Sequence, residues 1–219
     1  CSLLLFCPVI GNSSPADDKR LYDSSCAACH GTDGTGKSQA ELAFEIAPPD
    51  FTDCEFASRE PDSDWHAIIH EGGPIRAFDK MMPAFGSALT DEQIYSILRH
   101  VRTFCENKNW PPGEFNLPRP LFTEKAFVED ETVITSSFDA EGPGAIVTDI
   151  LYEKRFGERH MVEIEVPIGY HDLNNNGDWD LGVGDIKLGY KHASYHNLAV
   201  GRMLSVGVEV KLPTGGEGS

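Results

Sequence analysis

The sequence predicts a multidomain α plus β chain: an all-α domain over about residues 17–106, then an antiparallel β-domain over 124–219. Three observations predict it. The hydrophobic period is helical up to about residue 104 and becomes two after residue 124. Between these regions, four prolines (Pro111, Pro112, Pro118, Pro120) fall within ten residues, a density that forbids a continuous helix and favours a semi-rigid linker over 107–123. The chain has 219 residues with 40% hydrophobic content, enough for two modest domains with a real core.

The elements follow in order. Ser2–Ile10 is a short apolar run, followed by small residues up to Ala16. It is too short to span a bilayer, and residues 1–16 read as the remains of a secretory signal. A lipid-anchored Cys1 or Cys7 is the alternative, to which Phe6 before Cys7 is a poor fit. Asp17–Cys26 reads as a first helix anchored by Leu21 and Tyr22. Gly31–Gly36 reads as a flexible loop; it has no preceding strand, and its Lys37-Ser38 falls at the wrong spacing for a phosphate loop. Pro61–His70 reads as a short helix with Trp65, Ile68 and Ile69 on its apolar side, ended by Gly72-Gly73-Pro74. Thr90 and Gln93 form a capping box for a last helix, in which Ile94, Ile97, Leu98, Val101 and Phe104 recur at helical spacing. His66 and His70 stand four apart, a spacing that can bind metal on a helix, but no third ligand lies nearby and two solvated histidines are expected. His100 is expected on an exposed flank.

Beyond residue 124, strands are expected over Thr132–Phe138, Ala145–Tyr152, His160–Ile168, Asp185–His192 and Met203–Leu212. Val162, Ile164, Val166 and Ile168 alternate with Glu163, Glu165 and Pro167; Leu204, Val206, Val208 and Val210 alternate with Ser205, Gly207 and Glu209. One face is apolar and the other mostly polar. That pattern suits a sheet packed on a core, and equally a barrel with lipid outside and a polar lumen.

The densest chemistry lies in Cys26-Ala27-Ala28-Cys29-His30. The spacing C-x-x-C-H attaches a c-type haem. Two thiols add across the porphyrin vinyl groups, and the next residue, His30, is placed under the iron as proximal ligand. A short helical turn presents all three groups to one face of the flat ring. A C-x-x-C by itself also serves zinc, thiol redox and disulfide chemistry, but a zinc site wants a second ligand pair at matching spacing, and none is found. Downstream, Lys80-Met81-Met82-Pro83-Ala84-Phe85 offers thioether sulfur in a loop. Methionine as sixth ligand raises the reduction potential, which suits electron transfer.

The segments C-A-A-C-H-G, A-P-P-D-F and M-P-A-F, with the closing helix L-T-D-E-Q-I-Y-S-I-L-R-H-V-R, resemble a class I cytochrome c domain over residues 17–106. In that family the axial Met directly precedes Pro, which implies Met82 as iron ligand with Met81 as runner-up. The family also has a proline whose carbonyl accepts a hydrogen bond from the proximal His; Pro49 or Pro48 matches it, with Pro49 taken as the site residue. Such a bond would fix the imidazole and tune its basicity. The resemblance implies one covalent haem c, a closing helix that crosses the first, and an extracytoplasmic location in the periplasm or at the outer membrane of a bacterium. Cys54 and Cys105 both fall in this region, and an oxidising compartment permits a disulfide between them; two free buried thiols are the alternative.

The phrases E-K-R-F-G-E-R-H-M-V-E-I-E-V-P-I, G-D-I-K-L-G-Y-K-H and V-E-V-K-L-P-T-G resemble the opening strands of outer-membrane transporter-like barrels over about residues 130–214. About five strands are visible, while the smallest such barrels need eight. The region is therefore a partial barrel in a fragment, or a smaller soluble β-domain. Asp172–Asp180 places oxygen donors at alternate positions with Gly177 sixth, like the start of a calcium loop, but Val183 stands where the twelfth-position Glu is expected. Calcium there and a plain polar hairpin loop are both carried forward.

Net charge is −17, divided as −9 over residues 16–118 and −8 over 119–219. Nucleic acid is not an expected partner, because phosphate binding needs basic patches. A redox partner with a basic docking face is expected, since complementary fields speed encounter. The expected function is a monohaem electron carrier in the periplasm or at the outer membrane, and not an enzyme. The alternatives are a cytochrome subunit of a redox enzyme and an outer-membrane transport protein with an accessory cytochrome.

Overall fold

In a computed structural model of the chain, the described residues are 14–118, 124–139, 144–172 and 178–216. The chain divides into two compact units, one of residues up to 57 plus 62–107, the other of 58–61 plus 108–219. The secretory-signal reading falls largely outside the described residues. Its last positions do not: Ser14 caps the first helix, accepting a hydrogen bond from the Asp17 N–H, and the helix begins at Pro15, two residues before the expected start.

The first unit is helical. α1 spans Pro15–Ser25, α2 Ala27–His30, α3 Gln39–Leu42, α4 Cys54–Ala57, α5 Asp62–Glu71 and α6 Asp91–Val101. The Thr90–Gln93 capping box is formed as expected. Ile94, Ile97 and Leu98 of α6 are fully buried, and Val101 nearly so. They meet Tyr22 of α1 and Trp65 and Ile69 of α5 in one core. Each such aliphatic side chain contributes about 1.5–3 kcal/mol by leaving water. α1 and α6 pack together, as the cytochrome resemblance implied, and Arg99 of α6 donates from Nε (3.0 Å) and Nη2 (3.1 Å) to the buried Asp18 carboxylate. Cys54 and Cys105 form a disulfide, Cα atoms 5.1 Å apart, joining α4 to the chain just past α6.

The second unit contains, among the described residues, a six-stranded antiparallel sheet: β1 Glu131–Asp139, β2 Ala145–Phe156, β3 His160–His171, β4 Asp180–Val183, β5 Lys187–Asn197 and β6 Arg202–Lys211. The order is β1-β2-β3-β5-β6, with short β4 also paired to β3. All five expected strands are present, and β4 is one the alternation was too short to reveal. Among the described residues the sheet is open, with β1 and β6 at its edges. Of the residues expected to form the linker, 108–118 cluster with this unit, with a 3₁₀ turn at Gly113–Phe115 packed so closely on Glu60 that a side chain at Gly113 has no room. Residues 119–123 lie outside the described residues.

Burial across the sheet runs opposite to a sheet packed on a core. Glu153 and Arg155 are each 1% exposed, while their neighbours Tyr152 and Phe156 are exposed. On β5, Lys191 and Ala193 are buried and Leu188 and Tyr190 are exposed. Residues 125–130 cover the polar face: Val128 packs with Met161, Ala193 and Met203, and the Glu129 N–H meets Met161 Sδ at 3.2 Å. Asp130 accepts from the Arg155 backbone N–H and pairs with Arg59 and Lys154.

Replacing both Cys54 and Cys105 by serine should lower the unfolding free energy of the first unit by about 4 kcal/mol in the chain-entropy model. Guanidinium titration followed by helix dichroism measures this. A change near zero would show that the bridge does not hold α4 to the chain beyond α6.

Candidate functional site

The site grows from the junction of α1 and α2. α1 stops at Ser25, and the Cys26 N–H still bonds back to the Tyr22 carbonyl at 2.8 Å. The next four residues make one turn, α2, in which the Cys29 and His30 N–H groups both return to the Cys26 carbonyl, at 3.1 and 2.9 Å. Small Ala27 and Ala28 allow that turn to sit tightly; Ala27 is buried in the core. Cys26 and Cys29 are free thiols, both half-buried. Burial, reinforced by Cys29, pushes the Cys26 thiol up to about 12, so it stays protonated at neutral pH.

His30 is held from three sides. Its imidazole stacks on Phe51, ring centres 4.7 Å apart. Its carbonyl accepts the Gly36 N–H at 3.0 Å. The Tyr22 hydroxyl donates to the next carbonyl, that of Gly31, at 2.7 Å. Burial lowers the imidazole pKa to about 4, so His30 is neutral at physiological pH, the form that offers a lone pair to a metal. Its Nδ1 is buried with no hydrogen-bond partner among the described residues. The Pro48 and Pro49 carbonyls instead crowd Gly36, leaving no room there for a side chain.

The glycine loop after His30 is tied down rather than flexible. Gly31, Gly34 and Gly36 all take positive φ, the region glycine enters at little cost. The Phe51 N–H bonds to the Gly34 carbonyl at 2.7 Å and the Lys37 N–H to the Cys29 carbonyl at 2.9 Å. At Gly34 a side chain would strike the Phe104 ring.

The methionine loop hangs from α5. The Phe85 N–H bonds to the Ile69 carbonyl at 2.9 Å and the Gly86 N–H to the His70 carbonyl at 3.0 Å. Gly72, at φ +90°, lets the chain turn back so that the Gly73 N–H reaches the Met82 carbonyl at 3.0 Å. Met82 packs against the core that also receives Cys26, whereas Met81 is 47% exposed.

Three histidines differ from expectation. His66 and His70 are not simply solvated: their rings stack 5.8 Å apart, and each meets a carboxylate, His66 with Asp91 at 3.0 Å and His70 with Glu71 at 2.7 Å. His100 is not on an exposed flank. Its ring lies 5.1 Å from Tyr22 and 5.0 Å from Phe104, because the α6 helix turns that face onto α1. Sequence reading did not single out Phe51 as a site residue; its one signal was its place after Pro48-Pro49-Asp50. Most of the Asp172–Asp180 loop lies outside the described residues. Among those described, the one grouping of three metal-donor side chains is Glu129, Glu131 and Glu153, where Lys125 already neutralises Glu129.

Residues 13–101 match the family model for cytochrome c oxidase, cbb3-type, subunit III. The N-terminal unit is a cytochrome c domain. A solved structure, "KustC0563 c-type cytochrome", is similar at 30% identity over 41% of this chain and 99% of its own, with a TM-score of 0.35. No curated protein matches. A cytochrome c domain implies an electron-transfer haem protein, and the residues present fit that group: two free thiols on one turn, a neutral imidazole with an unpartnered buried nitrogen, and a thioether packed on the same core. No helix among the described residues is long and apolar enough to cross a membrane.

Two outcomes follow. Tyr22→Phe removes the hydroxyl that holds Gly31 and should cost about 1 kcal/mol, read by denaturant titration. For His100, burial is the largest cause of a lowered pKa, with Lys19 adding to it and Asp23 and Asp18 opposing. As pH falls, the unfolded chain takes up that proton first, near 6.5. The stability is therefore whole above 6.5 and declines below it. His100→Asn should lose less stability than the wild type between pH 7 and 5, and parallel curves would count against this account.

Proposed function

We propose that the chain is an extracytoplasmic monohaem electron carrier, in which Cys26 and Cys29 hold the haem covalently and His30 and Met82 are its axial ligands. The observation that carries this reading is the convergence of Cys26, a half-buried neutral His30 stacked on Phe51, and Met82 on one helical core. When bound, the haem supplies one-electron oxidation and reduction. The chain's own residues do the rest. α2 presents the thiols, Phe51 and the Gly31–Gly36 loop fix the imidazole, and Gly72 and Gly73 bring Met82 inward while Met81 faces water. The acidic surface favours partners with a basic docking face, whose encounter rate falls as salt screens the attraction.

Two measurements test this. The haem should remain with the polypeptide in acid acetone; extractable haem would reject covalent attachment. Met82→Ala should lower the reduction potential by on the order of a few tenths of a volt, within the range that axial ligands set, and abolish the near-infrared sulfur-to-iron band of the ferric protein. Met81→Ala should leave both unchanged, and the reverse result would reassign the ligand.

A further inference from the structure

We infer that the exposed apolar face of the sheet is a lipid-contacting face, seated among the acyl chains of a bilayer, with the polar face turned away from lipid. The inference goes beyond the electron-carrier reading and does not depend on it.

The register sorts the side chains. Phe138, Ile146, Tyr170 and Leu181 stand in one row across the strands, Ile134, Ile150 and Val166 in another, Tyr152, Ile164 and Leu188 in a third, and Phe156, His160, His192 and Val206 in a fourth. All lie on one face, because alternate residues of a strand share a side. Its middle is mostly aliphatic, interrupted by Thr132, Tyr152 and the hydrogen-bonded pair Ser136 and Thr148, and most of it is open: Ile134 is 66% exposed and Ile164 41%. A water-soluble domain rarely leaves so continuous an apolar surface uncovered.

The face is also banded. At one end Tyr170 packs on Trp179, ring centres 5.1 Å apart, in the same row as Phe138. At the other, Phe156 stacks on His160, which hydrogen-bonds the Tyr190 hydroxyl at 2.7 Å. Aromatic rings with polar edges at both ends of an aliphatic band are the pattern of strands crossing a bilayer. From His160 to Tyr170 the strand covers about 33 Å at roughly 3.3 Å per residue; tilted by about 45°, it spans about 23 Å, close to the apolar band of membrane strands, about 25 Å. Of the charged side chains on this face, Arg202 stands at the very start of β6, and Lys154 sits between Tyr152 and Phe156 near one end and reaches Asp130 at 2.8 Å, as a snorkelling lysine does.

The opposite face supplies the complement. Glu153, Arg155 and Lys191 are buried there, and Lys187 pairs with Glu165 at 2.9 Å. Ionic groups inside and aliphatic groups outside invert the arrangement of a water-soluble sheet. Lipid tolerates no bare strand edge, so in the bilayer β1 and β6 pair with further strands, whichever polypeptide supplies them.

The full chain, purified in detergent, is mixed with phosphatidylcholine vesicles, freed of detergent and centrifuged upward through a density gradient. The wild type should float with the vesicles and resist carbonate extraction. Ile164→Arg should reduce flotation by on the order of thirtyfold or more, the penalty for a cation at mid-depth on a lipid-facing strand, while Glu165→Gln should float like the wild type. A nitroxide at Ile164→Cys, with Cys1, Cys7, Cys26 and Cys29 replaced by serine so that no other free thiol takes the label, should collide with oxygen and be shielded from a nickel chelate; one at Glu165→Cys should show less oxygen and more nickel contact. That pair reads the face even if the arginine variant fails to fold. Protein that stays below the vesicles, or a detergent-free soluble dimer with both nitroxides equally shielded, overturns the inference. The haem spectrum, recorded in every fraction, reports the first unit separately.

Discussion

The first unit depends on one residue, Tyr22. It is fully buried at the crossing of α1 and α6, where it meets Ile94, Ile97 and Leu98 and the rings of His100 and Phe104. Its hydroxyl leaves that apolar core toward the carbonyls of the turn, closest to that of Gly31 just past His30. Burial raises the pKa of that hydroxyl, so it stays a donor. A single side chain thus links helix packing to the position of the haem-binding turn. Phe104 extends the link, since its ring fills the space a side chain at Gly34 would need, and Cys105 beside it is covalently tied to Cys54.

This arrangement places a neutral imidazole, its Nδ1 without a hydrogen-bond partner among the described residues, in an apolar setting without leaving the backbone unsatisfied. The carbonyls of Cys26, Cys29, His30, Gly31 and Gly34 all find donors. The strain of bending the chain so sharply falls on glycines, where positive φ costs little. His30 keeps a lone pair because burial disfavours its protonated form. An electron carrier benefits from such rigidity, because small changes in ligation between oxidation states keep electron transfer from being slowed by rearrangement.

The second unit obeys a different constraint. Buried ionic groups are costly unless paired and hydrogen-bonded, and here Asp130 gathers Arg59, Lys154 and the Arg155 backbone, while Lys125 meets Glu129. The Arg155 guanidinium lies 4.8 Å above the Trp110 ring, a further compensation for a cation removed from water. The same sheet places charge in its interior and leaves isoleucine and valine outside.

The sequence by itself determined the chemistry and the element types. Cys26, Cys29 and His30 are contiguous, so their joint presentation is a local matter of one helical turn. The capping box at Thr90 and Gln93 is likewise local, and so is the two-residue alternation of the strands. Tertiary structure decided what depends on distant partners. The exposure of Met81 and the partial burial of Met82 follow from the Gly73–Met82 hydrogen bond and the core beneath the loop. The packing of His100 follows from which face α6 turns to α1, and Phe51's role from a stack with a residue 21 positions earlier. Alternation announced that the sheet has two unlike faces, yet it could not say which is buried. That depended on residues 125–130 lying over the polar one, because a period of two records the difference between faces and carries no information about what covers either.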